Sequence, residues 1–386
     1  MKRLAKYTLV GRLILLCAVI CSWAHRIGIL LIGLILSGVG LTSAFPPSKL
    51  LPRKETMYLG TFIMVIFVLV DLLLGQLLPK VYVPTKYGWT VPSNTKNVGS
   101  VEDTKGTKRT VFIQYFEHGF KRWPISTTSK PRVLIVGDSF TEMVYVSNGE
   151  EWYSYLERGF PEISFYVFGG GGYGTLQQLM VLKDHINEVR PDSIIWQFCE
   201  NDYVNNHYIL DRRDYPFNNH YIRPYFEDGK TVYRLPLAFS SLRKVSFAAD
   251  QLLHWYDRYA QKRVTRDRNR VPQRKQTDEK RVEALEVTKD LMRLVRVSVG
   301  RIPVFFFNAC GEFTDNDKEV CNAGEFNCME FVGEYLNKYP TGRQVFVEND
   351  GHWNFLGNKV VGEAIVAYLK NKKEFSNVNG RIKISQ

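Results

Sequence analysis

Val133-Leu134-Ile135-Val136-Gly137-Asp138-Ser139-Phe140-Thr141 reads as an apolar strand that ends in a polar turn. An almost unbroken aliphatic run is the pattern of a strand covered on both faces, as in a parallel sheet. A serine on the turn leaving such a strand is presented to the cleft at the sheet edge rather than to the core. Taken alone, Ser139 has an ordinary alternative, because Ser and Asp are common helix N-caps in these turns.

Outward from that strand, similar apolar runs occupy residues 132–136, 163–168, 193–198, 302–308 and 344–347. Amphipathic stretches at 151–158, 175–189, 278–299 and 324–338 fall between them, and a last one at 356–369 follows. Strands alternating with helices predict right-handed βαβ units and a three-layer α/β/α domain built on a parallel sheet. The domain should cover residues 131–386, with 80–130 as linker and lead-in. One insertion breaks the rhythm at about 202–276. It leaves the C-terminal end of the third strand, where α/β domains place ligands. A connection that long is expected to be a lid or a substrate contact, with a structural excursion packed away from the site as the alternative.

Three more polar turns follow predicted strands. Phe168-Gly169-Gly170-Gly171-Gly172-Tyr173-Gly174 can bring backbone N–H groups close to an anion. A dinucleotide loop is the competing reading, but the spacing is only loosely compatible with GxGxxG and the rest of that context is not convincing. Asn201 in Glu200-Asn201-Asp202 offers an amide, though Asn-Asp is also common turn chemistry. In Asp350-Gly351-His352-Trp353, a carboxylate two residues away can orient an imidazole as a base. Four polar turns at the C-terminal ends of parallel strands should meet at one edge. Together they supply a hydroxyl, donors for an oxyanion, a base and its acid, the components acyl transfer needs.

Gly137-Asp138-Ser139, the glycine loop, Asn201-Asp202 and Asp350-Gly351-His352 resemble, in order, the four sequence blocks of the SGNH (GDSL-like) hydrolase superfamily. The resemblance spans about residues 131–370 and implies a flavodoxin-like sheet. It makes Ser139 the nucleophile, His352 the general base and Asp350 its orienting acid. The backbone of Gly172 and the residue Asn201 would join Ser139 N–H in the oxyanion hole, with Gly174 as the alternative glycine. His118-Gly119-Phe120-Lys121 also resembles the lead-in of membrane-anchored members. The last block departs from the usual Asp-x-x-His. Its Asp-x-His-Trp form is similar to that of alginate O-acetyltransferase-like proteins, which keeps acyl transfer open beside hydrolysis.

The formal charge of +12 does not point to nucleic acid. Residues 1–79 hold eight basic side chains against two acids, a net +6 that flanks apolar segments. Basic residues there report membrane topology. Three transmembrane helices are expected, at about 9–23, 27–45 and 57–78. The clusters Lys2-Arg3-Lys6 and Lys49-Arg53-Lys54 then share the cytoplasmic side, and everything after Leu78 lies beyond the inner membrane. No small-residue cleavage site supports a signal peptide instead. A second basic cluster, Lys262 to Lys275, reads as a solvated linker or as a contact for anionic lipid or glycan.

No CxxC pair or Cys/His spacing suggests zinc, and no metal or cofactor is expected. A disulfide is expected between two of Cys310, Cys321 and Cys328, with Cys199 reduced and buried. The functional expectation is a membrane-anchored serine esterase removing O-acyl groups, acetyl above all, from an envelope glycan or lipid. An O-acyltransferase with a membrane-bound acyl-donor partner, and a non-catalytic assembly subunit, are the alternatives.

Overall fold

The computed structural model describes residues 53–77, 82–102, 108–124, 130–215, 222–234, 246, 276–338, 344–347, 350–372, 376–378 and 381–383. The chain divides into two units, Met1–Pro79 with Ser241–Leu253, and Lys80–Ser240 with His254–Gln386.

In the first unit, helix Arg53–Leu77 coincides with the third expected span. Phe62, Phe67, Leu69 and Leu73 are exposed along it. Among the described residues, however, no helix is long and apolar enough to cross a membrane. The first two expected spans lie outside the described residues.

The second unit opens with two antiparallel hairpins, β1 (Val83–Thr85) with β2 (Gly88–Thr90), and β3 (Lys96–Glu102) with β4 (Lys108–Gln114). The parallel sheet follows. Its strands are β5 (Arg132–Gly137), β6 (Ser164–Gly169) and β7 (Ser193–Phe198), then β10 (Val304–Asn308) and β11 (Asn327–Cys328). Their spatial order is β11-β10-β7-β5-β6, and every neighbouring pair is parallel. Read from the other edge, the sheet follows the flavodoxin-like order, whose chain reversal falls between the first and third strands. That point is the β5/β7 crevice.

Alternating side chains of each strand enter opposite layers, as a period of two requires. Val133, Ile135, Ile195, Phe305 and Phe307 belong to one core, with Trp152, Leu156, Trp353 and Ile365. Leu134, Val136, Ile194, Trp196 and Phe306 belong to the other, with Leu179, Leu182, Leu291 and Val295. Helices Trp152–Gly159 and Phe355–Asn371 thus cover one face, and Thr175–Val189 and Gln276–Val299 the other. The expected three-layer arrangement is present.

The last strand is a correction. Residues 344–347 do not join the sheet; only an isolated antiparallel bridge pairs Phe346 with Trp353. The fifth strand is the short β11, inside a stretch read as helix, and the helix there shrinks to Val332–Asn337. Val345 and Val347 are still buried. Apolar alternation reports burial, and the backbone of 344–347 finds its hydrogen bonds by folding back on His352 and Asn354.

The insertion is partly described. Helices Asn201–Asn205 and Tyr208–Asp214 lead into hairpin β8 (Arg223–Glu227) with β9 (Lys230–Arg234). Tyr225 is fully buried and donates its hydroxyl to Asp211. These parts pack as structure; most of the remainder, with the basic cluster Lys262 to Lys275, lies outside the described residues. Antiparallel hairpin β12 (Ser376–Val378) with β13 (Arg381–Lys383) closes the chain.

The cysteine pairing is also corrected in part. Cys321 pairs with Cys328, two of the three expected partners, but Cys199 is joined to Cys310. Cys199 follows β7 and Cys310 follows β10, adjacent strands, so the pairing register brings their Cα atoms to 5.1 Å. The second pair, at a Cα separation of 6.1 Å, holds β11 against helix Asp315–Ala323.

Candidate active site

Ser139 opens a one-turn helix, Ser139–Glu142, straight after β5. Asp138 caps it, its carboxylate accepting the Phe140 N–H at 2.9 Å. Gln197 on β7 fixes the same turn, its side-chain oxygen accepting from Asp138 N–H at 3.0 Å and from the Thr141 hydroxyl at 2.8 Å. Close approach to β6 is possible because residue 169 is glycine. A Cβ there would stand 1.9 Å from the backbone nitrogen of Glu142. The serine is therefore held on the central strand of the switch point, half-exposed.

His352 arrives from the far end of the chain, across a separation of 213 residues, and its Nε2 lies 2.7 Å from Ser139 Oγ. Its Nδ1 contacts Asp350 Oδ1 at short range. Gly351 between them has φ 91, a left-handed conformation that folds the two side chains onto one side. In the tautomer that donates Nδ1–H to the carboxylate, Nε2 is placed to accept the serine hydroxyl. The imidazole is sandwiched between Phe140, at 4.7 Å between ring centroids, and Tyr145, at 4.8 Å.

Tyr145 was not singled out in the sequence. Its hydroxyl donates to Asp350 Oδ2 at 2.9 Å, occupying the carboxylate oxygen that His352 leaves free. Burial by itself would raise the Asp350 carboxyl. The hydrogen bonds from His352 and Tyr145 and the nearby imidazole outweigh it, and the carboxyl is held below its usual range. Asp350 is thus an anion at neutral pH, suited to orient an imidazole and to stabilise its protonated form.

The oxyanion candidates leave the two strands that flank β5: Gly172 after β6 and Asn201 after β7. Gly172 is half-exposed with φ 73. Gly174 is buried and gives its N–H to Gln177 at 3.2 Å, which favours Gly172 over it as a donor. Asn201 opens its helix and donates one hydrogen of its side-chain amide to Asn205 at 3.0 Å, which leaves the second amide hydrogen for a ligand.

Beneath this edge lie buried acids whose surroundings sequence reading did not reveal. Glu142, fully buried, accepts the Tyr115 hydroxyl at 2.8 Å and the Gly171 N–H. Burial raises its carboxyl, opposed by Tyr115, Lys121 and Gly171. Asp138 and Asp202 are both fully buried, and burial pushes both carboxyls up, Asp202 strongly, because the charge of Asp138 adds to the effect. Residue type and spacing could not place these groups, because their partners come from other strands.

No family model matches the chain, and no curated protein matches it. Solved structures with a similar fold include a lipase/acylhydrolase from Enterococcus faecalis, 12% identical, TM-score 0.36, covering 66% of this chain and 99% of that one. A member of the lipolytic G-D-S-L family from Veillonella parvula is 11% identical, TM-score 0.31, over 62% and 98% of the two chains. An acetyl xylan esterase from Butyrivibrio proteoclasticus is 12% identical, TM-score 0.34, over 70% and 71%. At these scores the likenesses carry no argument of their own. The functional reading rests on Ser139, His352 and Asp350.

Proposed function

We propose that this chain is a serine hydrolase of the SGNH type that removes O-acyl groups, acetyl above all, from an envelope glycan or lipid. The observation that carries this reading is the 2.7 Å contact of Ser139 Oγ with His352 Nε2, backed by Asp350 on the other ring nitrogen. His352 takes the hydroxyl proton as Ser139 Oγ attacks the ester carbonyl. The backbone N–H groups of Ser139 and Gly172 and the side-chain amide of Asn201 receive the developing oxyanion. Collapse breaks the bond to the alcohol, which leaves with the proton from His352. Water repeats the sequence on the acyl-Ser139 ester and releases the carboxylic acid. Two disulfides in the domain fit an oxidising compartment. With the basic clusters before Leu78, they support an inner-membrane anchor and an extracytoplasmic domain.

The short Asp350-Gly351-His352 spacing favours one second reading, in which a sugar hydroxyl replaces water as the acyl acceptor. Incubation of the purified protein with a chromogenic acetyl ester, with and without candidate glycans, separates the two. Free acetate marks a hydrolase and acetylated glycan a transferase. Neither product, from protein whose Ser139 also resists a fluorophosphonate, would overturn both.

A further inference from the structure

We infer that His118, His185 and Glu188 form a binding site for one zinc ion, separate from the Ser139 centre. Their ligand atoms all lie within 4.8 Å of one another. Glu188 Oε2 stands 3.6 Å from His185 Nδ1 and 3.7 Å from His118 Nε2. Ligand atoms about 2.0–2.1 Å from a tetrahedral zinc lie roughly 3.3 Å apart, so small rotamer shifts would close the cage. The observed gaps are too long for hydrogen bonds and about right for an ion between the atoms.

The state of His185 is the independent observation. The residue is 9% exposed, and its Nδ1 is buried with no hydrogen-bond partner among the described residues. Buried ring nitrogens are ordinarily satisfied, and this one faces a carboxylate just out of reach. Two imidazoles and one carboxylate suit zinc rather than calcium or magnesium, which prefer oxygen.

The surroundings fit as well. Phe120 and Trp123 pack against His185 at 5.1 and 5.9 Å between centroids, an apolar wall that would strengthen the ion's attraction to its ligands. Glu188 also lines a cavity of about 400 Å³ with Glu117, Trp123 and Tyr166. His118 adopts φ 56 and ψ 15, uncommon for a residue other than glycine, and so turns toward the helix. His185 and Glu188 stand one turn apart on helix Thr175–Val189. His185 lies ten positions after Thr175, about 15 Å along the helix from the glycine loop. The ion would fasten the lead-in before β5 to this helix and take no part in ester turnover.

Zinc chloride titrated calorimetrically into full-length, tag-free protein stripped with a chelator tests the site. One ion should bind with a dissociation constant of micromolar or below and raise the melting temperature. Cobalt(II) should give the visible absorption of a tetrahedral centre. His118→Asn and Glu188→Gln, both at exposed positions, should keep the fold and weaken binding more than about tenfold. Chromogenic ester turnover should be the same in both variants, so the outcome is independent of the Ser139 reading. Absence of saturable zinc binding, or equal binding in either variant, overturns the site.

Discussion

The Tyr145 hydroxyl donates to Asp350 Oδ2 at 2.9 Å, so the acid that orients His352 is itself oriented by a residue 205 positions earlier. Tyr145 also stacks on the imidazole, which lets one side chain fix both partners. Tyr145→Phe keeps the ring and removes the hydroxyl. We expect kcat/KM for an acetyl ester to fall about three- to tenfold, because the lost bond is to a charged but partly exposed group. Tyr145→Ala should cost more. Equal rates for Phe and wild type would show that the hydroxyl does not hold Asp350.

Ser139→Ala and His352→Ala should each lower kcat by roughly four to six orders of magnitude while circular dichroism stays native. Asp350→Asn should cost less, about 10²–10⁴-fold, since the base remains but loses its anionic partner. Turnover surviving in folded Ser139→Ala would remove the nucleophile assignment.

Glu142 receives the N–H of Gly171, next to the oxyanion candidate Gly172. Glu142→Gln retains an acceptor and should keep kcat within about threefold. Glu142→Ala frees the loop and should lower kcat more than about tenfold with little change in KM. A KM effect alone would assign the carboxylate to substrate binding instead.

Asp202 has its carboxyl raised by burial and by Asp138. A carboxyl raised on folding favours the native state below its unfolded pKa, and that advantage is lost as pH rises through the folded value. Asp202→Asn mimics the neutral acid and escapes the loss. The melting temperature of the variant relative to wild type should therefore increase steadily from about pH 4 upward. A difference independent of pH would contradict a buried neutral acid.

The Cys199–Cys310 bridge spans 111 residues and the Cys321–Cys328 bridge 7. Loop-closure entropy assigns roughly 4–5 kcal/mol to the longer loop and clearly less to the shorter. Paired serine substitutions, compared by urea denaturation, should show the Cys199/Cys310 variant as the less stable. The reverse order would locate the stabilisation in native packing.

The polar turns, the alternation of strands with helices, and Ser139, His352 and Asp350 as residues that would meet were legible in the chain itself. Strand period and turn chemistry are local properties, and Ser139, His352 and Asp350 each follow an apolar run. The membership of 344–347 was not legible, since an apolar run packs equally well whether its backbone joins the sheet or folds back on Trp353. The partner of Cys199 was decided by strand order, which placed β7 beside β10. Tertiary structure alone set Tyr145 on Asp350, Glu142 under the glycine loop and His118 beside His185. Such contacts join residues tens to hundreds of positions apart, and no periodicity within a single segment encodes them.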